Sequence, residues 1–163
     1  MASLLDTNVL VYRYDPRDPD KQRRATEVLR RGIEQGDVCL AHQTLVEFVA
    51  AVTRPALFSD GERRQLLQPA DAHREVDELL LSCWVLYPDA GVVRSAIRCA
   101  AAYQLSWWDA HLLAYADVNG LAEILSEDFQ HGRIYGTVRV IDPFADLHPA
   151  DRVNDPRAER PPG

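Results

Sequence analysis

The stretch Ser3-Leu4-Leu5-Asp6-Thr7-Asn8-Val9-Leu10 decides the fold of this 163-residue chain. An apolar run from Ala2 to Leu5 stops at Asp6, Thr7 and Asn8, all good cap and turn formers, and an apolar-rich pattern resumes from Val9 to Tyr14. That order predicts strand, turn, helix. Working outward, the Asp- and Pro-rich segment 15–20 is a loop, and Lys21 to Gln35 forms an amphipathic helix closed by Gly36. Val38 to Ala41 reads as a buried strand, 43–53 as a helix stopping before Pro55, and 59–68 and 70–81 as weaker helical patterns. Beyond them come a short strand at 84–87, helices at 92–103 and 107–118, and strands at 123–125 and 138–141. Strands alternating with longer helices imply an α/β fold, a central, mostly parallel twisted sheet between two helical layers.

The length fits one domain on the usual scale of roughly 100 to 200 residues. We assign 1–148 to it, and 149–163, rich in Pro, Arg and Asp, to a flexible tail. No apolar run approaches the roughly 18 residues of a spanning helix, and no signal peptide is visible, so a cytoplasmic protein without membrane attachment is expected. Cys39, Cys83 and Cys99 lack the close spacing of zinc or redox pairs and are expected as buried thiols.

Several enzyme classes are excluded. Lys21 is the only lysine among 18 basic residues and follows Asp20, so a glycine-rich phosphate loop ending in lysine is absent. For the same reason a late phosphoryl-holding or Schiff-base lysine is absent. Neither a Gly-x-Ser-x-Gly elbow nor His-Glu-x-x-His occurs. The net charge of −7 argues, taken naively, against a polyanionic partner.

Among 25 acidic residues, four stand where a lone carboxylate is unwelcome. Asp6 ends the first strand, and Asp128 lies just past a later one, both at the carboxyl edge of a sheet, where open α/β folds bind ligands. Glu47 sits in an apolar helix, and Asp109 precedes Leu112, Leu113 and Ala116 on a core-facing stripe. Each has a plainer reading. Thr44 with Glu47 and Ser106 with Asp109 match capping boxes, Asp6 an Asx-turn, Asp128 a loop acid; Ser59 with Glu62 shows the same box with no function implied. The set is more telling than any member, because four acids converging on one sheet edge without lysine need a counter-ion. Carboxylate oxygens select hard cations, Mg²⁺ or Mn²⁺. His111 reads as a solvated or core-edge residue.

With Leu5-Asp-Thr-Asn8, Glu47 in its apolar helix, Trp108-Asp-Ala110 and Leu125-Ser-Glu-Asp-Phe-Gln-His-Gly132 in this order, the chain resembles PIN-domain proteins, and more narrowly VapC-type toxin ribonucleases. Val140-Ile-Asp-Pro-Phe144 is similar to that family's last strand. The resemblance implies a PIN-like three-layer α/β/α fold and metal-dependent endonucleolytic cleavage of RNA, leaving a 5′-phosphate and a 3′-hydroxyl. It places the catalytic and metal-holding acids at Asp6, Glu47, Asp109 and Asp128, with Thr7, Asn8 and Ser126 in support; a cap or turn role for Thr7 and Ser126 stays open. The cofactor implied is Mg²⁺, with Mn²⁺ able to replace it and one or two ions equally open.

The resemblance further implies a VapB-like antitoxin partner and a homodimer. Phe48, Leu57, Phe58, Leu66 and Leu67 are candidate contact residues, with ordinary core packing the favoured alternative. Lys21, Arg23, Arg24, Arg30 and Arg31 outnumber Glu27 on one helix, and Arg133 and His131 flank Asp128. Arg23, Arg24, Arg133 and His131 are the candidate RNA-backbone contacts, against the plain alternative of a solvated charged face. The rivals are a non-catalytic PIN-like module that binds protein, and a PIN-like nuclease acting on DNA.

Overall fold

A computed structural model describes residues 2–147; the proposed tail at 149–163 lies outside the described residues. The elements in chain order are β1 (Ser3–Leu5), α1 (Thr7–Tyr12), α2 (Pro19–Gln35), β2 (Val38–Ala41) and α3 (His42–Thr53). Then follow β3 (Ala56–Leu57), β4 (Arg63–Arg64), α4 (Pro69–Ser82), β5 (Trp84–Leu86), α5 (Ala90–Tyr103), α6 (Trp107–Val118), β6 (Glu123–Leu125), β7 (Ile134–Tyr135) and β8 (Val138–Ile141).

The main sheet runs β5-β2-β1-β6-β8-β7. All its pairings are parallel except β7 with β8. Alternate side chains go to opposite faces, as the pleat requires. Leu4, Cys39, Ala41, Ile124 and Val140 pack with α5 and α6, while Leu5, Val38 and Leu40 pack with α1 to α4. The expected three-layer α/β/α arrangement is what forms.

Local chemistry fixes the helix ends. Asp18 accepts from the Lys21 amide at 3.0 Å to start α2, and Gly36, in the left-handed region at φ 64°, ends it. A Cβ on Gly32 would lie 2.7 Å from that of Val38, so the glycine is what lets α2 lie this close to β2.

The helix expected over 59–68 does not form. Asp60 accepts from the Glu62 amide at 3.0 Å and Gly61 takes φ 83°, so an Asp-Gly turn closes the small β3–β4 hairpin instead. The weak helical pattern loses to turn chemistry, and Ser59 with Glu62 caps nothing. The antiparallel β7 was not anticipated either; a turn with Gly136 at φ 62° folds it onto β8. Cys39 and Cys99 are buried and Cys83 half-buried, all as free thiols. Of the five candidate contact residues, Phe48 and Phe58 are buried and Leu66 and Leu67 pack against the core, leaving Leu57 exposed.

Candidate active site

The chain leaves β1 toward β2 and β5 on one side, and occupies β6, β8 and β7 on the other. The switch between these directions opens a crevice at the carboxyl ends of β1 and β6, the place where such sheets bind ligands. A cleft of about 570 Å³ lies there, and Asp6, Glu47, Asp109 and Asp128 all line it.

Asp6 follows β1 directly; its amide donates to the Leu125 carbonyl at 3.0 Å, continuing the β1–β6 ladder. The side chain caps α1, with Oδ1 accepting from the Thr7 amide at 2.6 Å. The cap reading of Asp6 is therefore real. It leaves Oδ2 to the site, where it accepts from the Ser126 hydroxyl and, at 3.2 Å, from Asn8 Nδ2.

Ser126 is fully buried immediately after β6, and its Oγ also accepts from the Asp128 amide at 3.1 Å. Asn8 Nδ2 further donates to Asp128 Oδ2 at 3.2 Å. Thus Ser126 and Asn8 both bridge the acid after β1 to the acid after β6.

Glu47 is reached from the same turn. Thr7 Oγ1 donates to its Oε2 at 2.9 Å, and Gln43 Nε2 donates to its Oε1 at 2.9 Å. Gln43 Nε2 also donates to the Trp108 carbonyl at 3.2 Å, tying α3 to α6 next to Asp109. Because the Gln43 amide nitrogen is spent on these acceptors, its Oε1 must accept from His111 Nδ1, 2.7 Å away. Burial lowers the His111 pKa, opposed by the charge of Glu47. His111 is thus a core-edge residue, as expected, with a defined partner.

The capping alternatives divide. Ser106 does cap α6, accepting from the Asp109 amide at 3.1 Å. Thr44 does not, because α3 begins at His42; its hydroxyl donates instead to the Leu5 carbonyl at 3.2 Å and fastens α3 to the end of β1.

Electrostatics set Asp6 apart. Burial raises its pKa from 3.8 to about 7, the charges of Asp128 and Glu47 push the same way, and the bonds from Ser126 and Thr7 only partly offset them. Asn8 Oδ1 is buried without a hydrogen-bond partner. Among the described residues the one cation lining the cleft, Arg17, is held by Asp15, whose carboxylate accepts at 2.7 and 2.6 Å. That pairing lowers the Asp15 pKa.

This donor set fits a hard divalent cation, since it is all oxygen and carboxylate-rich. Among the described residues, no group of three or more His, Cys, Asp or Glu side chains is gathered as a ready cage. Mg²⁺ does not need one; it keeps several waters and usually takes one or two carboxylates together with substrate phosphates.

The proposed backbone contacts are not brought to the cleft. Arg23 pairs with Asp20, and Arg24 holds Asp146 and the Pro143 carbonyl. Arg30 pairs with Glu27 and Glu34, and Arg31 with Glu27. Lys21 donates to Glu127 at 2.6 Å and to Tyr12 at 3.1 Å. The surplus positive charge expected along α2 is thus neutralised. His131 Nδ1 accepts from the Asp142 amide at 3.0 Å. Arg133 lies over the Tyr135 ring, whose hydroxyl feels both Arg133 and Asp109.

Asp15, Arg17, Gln43 and Trp108 line the cleft and were not anticipated. The Asp-x-Arg spacing of the first pair was the one local signal available.

The family model for the PIN domain matches residues 3–136. No curated protein matches the chain. Solved structures with a similar fold include a toxin-antitoxin complex from Klebsiella pneumoniae, at 18% identity and TM-score 0.61, covering 87% of this chain and 98% of that one. DNA-bound VapBC from Salmonella typhimurium is similar at 15% identity and TM-score 0.62, covering 88% and 99%. VapC20 from Mycobacterium tuberculosis, a sarcin-ricin loop cleaving toxin, is similar at 13% identity and TM-score 0.54, covering 76% and 87%.

Proposed function

This chain belongs to the PIN domain family, and from that premise we propose that it is a metal-dependent endoribonuclease acting as the toxin of a toxin-antitoxin pair. One observation carries the reading: acids from four distant chain positions line a single cleft, and burial pushes the pKa of its most buried member, Asp6, to about 7. PIN domains are nucleases that generally need divalent metal ions, and the similar structures described above include toxin-antitoxin complexes.

Asp6, Glu47, Asp109 and Asp128 are the residues that would hold Mg²⁺ or Mn²⁺. When bound, such an ion supplies positive charge at the scissile phosphate and acidity to the attacking water. The chain's own contribution is placement. Thr7 and Gln43 fix the two oxygens of Glu47, so its carboxylate is held still. Ser126 and Asn8 hold Asp6 against Asp128 and blunt the repulsion between them. Arg17, on the cleft wall, is held by Asp15, which accepts from its guanidinium at 2.7 and 2.6 Å. With negative charge concentrated at the cleft, the objection from net charge is met locally, since a cation would bridge acid and phosphate.

The expected partners are RNA, a VapB-like antitoxin covering the cleft, and a second copy of the chain, in the cytoplasm. Among the described residues no helix is long and apolar enough to cross a membrane.

Labelled RNA and matched single-stranded DNA, each incubated with Mg²⁺, Mn²⁺ or EDTA, test the reaction. RNA cleavage that EDTA stops is expected. DNA cleavage alone would favour the DNA-directed reading, and no cleavage of either would favour a protein-binding module. Expression should arrest bacterial growth with the wild-type chain but not with Asp6→Asn; arrest by both would remove catalysis from the toxic effect.

A further inference from the structure

Trp108 is the feature of the cleft that the acid set leaves unexplained. It is 62% exposed, yet it lies in the first turn of α6, a helix in which Ala110 and every residue from Leu112 to Ala116 are buried. It also lines the cleft beside Asp109. Its backbone carbonyl is held by Gln43 Nε2, the same nitrogen that holds Glu47, so its position is tied to the acids. The adjacent Trp107 differs: it packs toward His111, with ring centroids 5.7 Å apart, and does not line the cleft.

Resting on the ribonuclease reading, we propose that the Trp108 indole is a stacking platform for an unpaired nucleobase next to the scissile phosphate. The charges favour this occupant. Among the described residues the cleft is lined by carboxylates, and the cation in that lining, Arg17, is paired with Asp15. A grip on the strand that does not depend on phosphate pairing suits such a lining. An exposed aromatic face supplies it, since every base has a π-surface and stacking is tolerant of sequence. A base within a duplex is stacked on its neighbours and cannot use this surface, so the substrate class is single-stranded RNA or an open loop.

The test compares wild type, Trp108→Ala, Trp108→Phe and, as the neighbouring control, Trp107→Ala. Steady-state cleavage of a labelled oligouridine in Mg²⁺ is measured together with fluorescence-anisotropy binding of the same RNA, of matched DNA, and of an abasic ribose-phosphate oligomer of equal length. Trp108→Ala is expected to raise KM and Kd about tenfold, with kcat changed little, while Trp108→Phe recovers much of the loss. Trp107→Ala should leave KM unchanged, and the abasic oligomer should bind wild type no better than it binds Trp108→Ala. Equal KM and Kd for wild type and Trp108→Ala would overturn the platform while leaving the ribonuclease reading intact. Weaker oligonucleotide binding by Trp108→Ala in a chain that cuts no RNA would keep the platform and sink that reading. Absence of both cleavage and binding in wild type would end both.

Discussion

Two charged regions of the molecule behave in opposite ways. Along the outer face of α2 a run of basic residues finds partners within the chain: Arg23 with Asp20, Arg24 with Asp146, Arg30 with Glu27 and Glu34, and Arg31 with Glu27. At the carboxyl ends of β1 and β6, Asp6, Glu47, Asp109 and Asp128 line one cleft, and the buried Asp6 responds with a pKa of about 7. Charge count in the sequence is similar evidence in both places, but only the second lines a cleft at the sheet edge. Like charges point to function where the fold gathers them from distant positions and buries one of them; a run that pairs along its own helix is a solvated surface.

The largest effect that sharpens this contrast is on activity. Asp6→Asn or Asp109→Asn should lower RNA cleavage by at least about a thousandfold, the scale on which a transition-state charge stabiliser acts. Arg30→Gln should leave the rate unchanged in the same gel assay. A comparable loss in the arginine variant would erase the distinction.

Stability gives the next effect, and its sign is fixed by Asp6. With a folded pKa of about 7 against 3.8 for the free side chain, the native state binds the proton more tightly than the unfolded chain. The metal-free protein therefore loses stability as pH rises from about 4 to about 7. Asp6→Asn removes that slope and should make the metal-free protein more stable at pH 8 by on the order of 4 kcal/mol. Urea unfolding at pH 5 and pH 8 measures it, and parallel pH dependence in both proteins would refute the burial argument.

A smaller change is expected at Ser126. Its hydroxyl bond lowers the Asp6 pKa, so Ser126→Ala should raise it and move the acid limb of the cleavage profile to higher pH. About a tenfold loss at pH 7 that shrinks at pH 8.5 is expected. A uniform loss across pH would make Ser126 a packing residue only.

Much of this was legible locally. The strand-turn-helix at Asp6 and the strand-turn at Ser126 place their side chains at a sheet edge by short-range chemistry alone, and the parallel sheet follows from alternation of strands with helices. Glu47 and Asp109 were legible because an acid in an apolar helical stripe is anomalous. Gln43 was not, since its role depends on α3 meeting α6, a contact 65 residues apart in sequence. The pairing of α2 was also missed, because Asp146 lies far along the chain from Arg24 and Glu34 was left out of the local charge balance. The hairpin at 56–64 was lost to a weak helical period that an Asp-Gly turn overrides.

The central claim is that the acids at the β1–β6 edge make one cation site. Calorimetric titration of Mn²⁺ into the metal-free protein at pH 8 tests it most directly, using wild type, Asp6→Asn, Asp109→Asn and Arg30→Gln. The account predicts binding by wild type and Arg30→Gln, weakened at least about tenfold in both Asp→Asn variants. Equal Mn²⁺ affinity in all four proteins would contradict it.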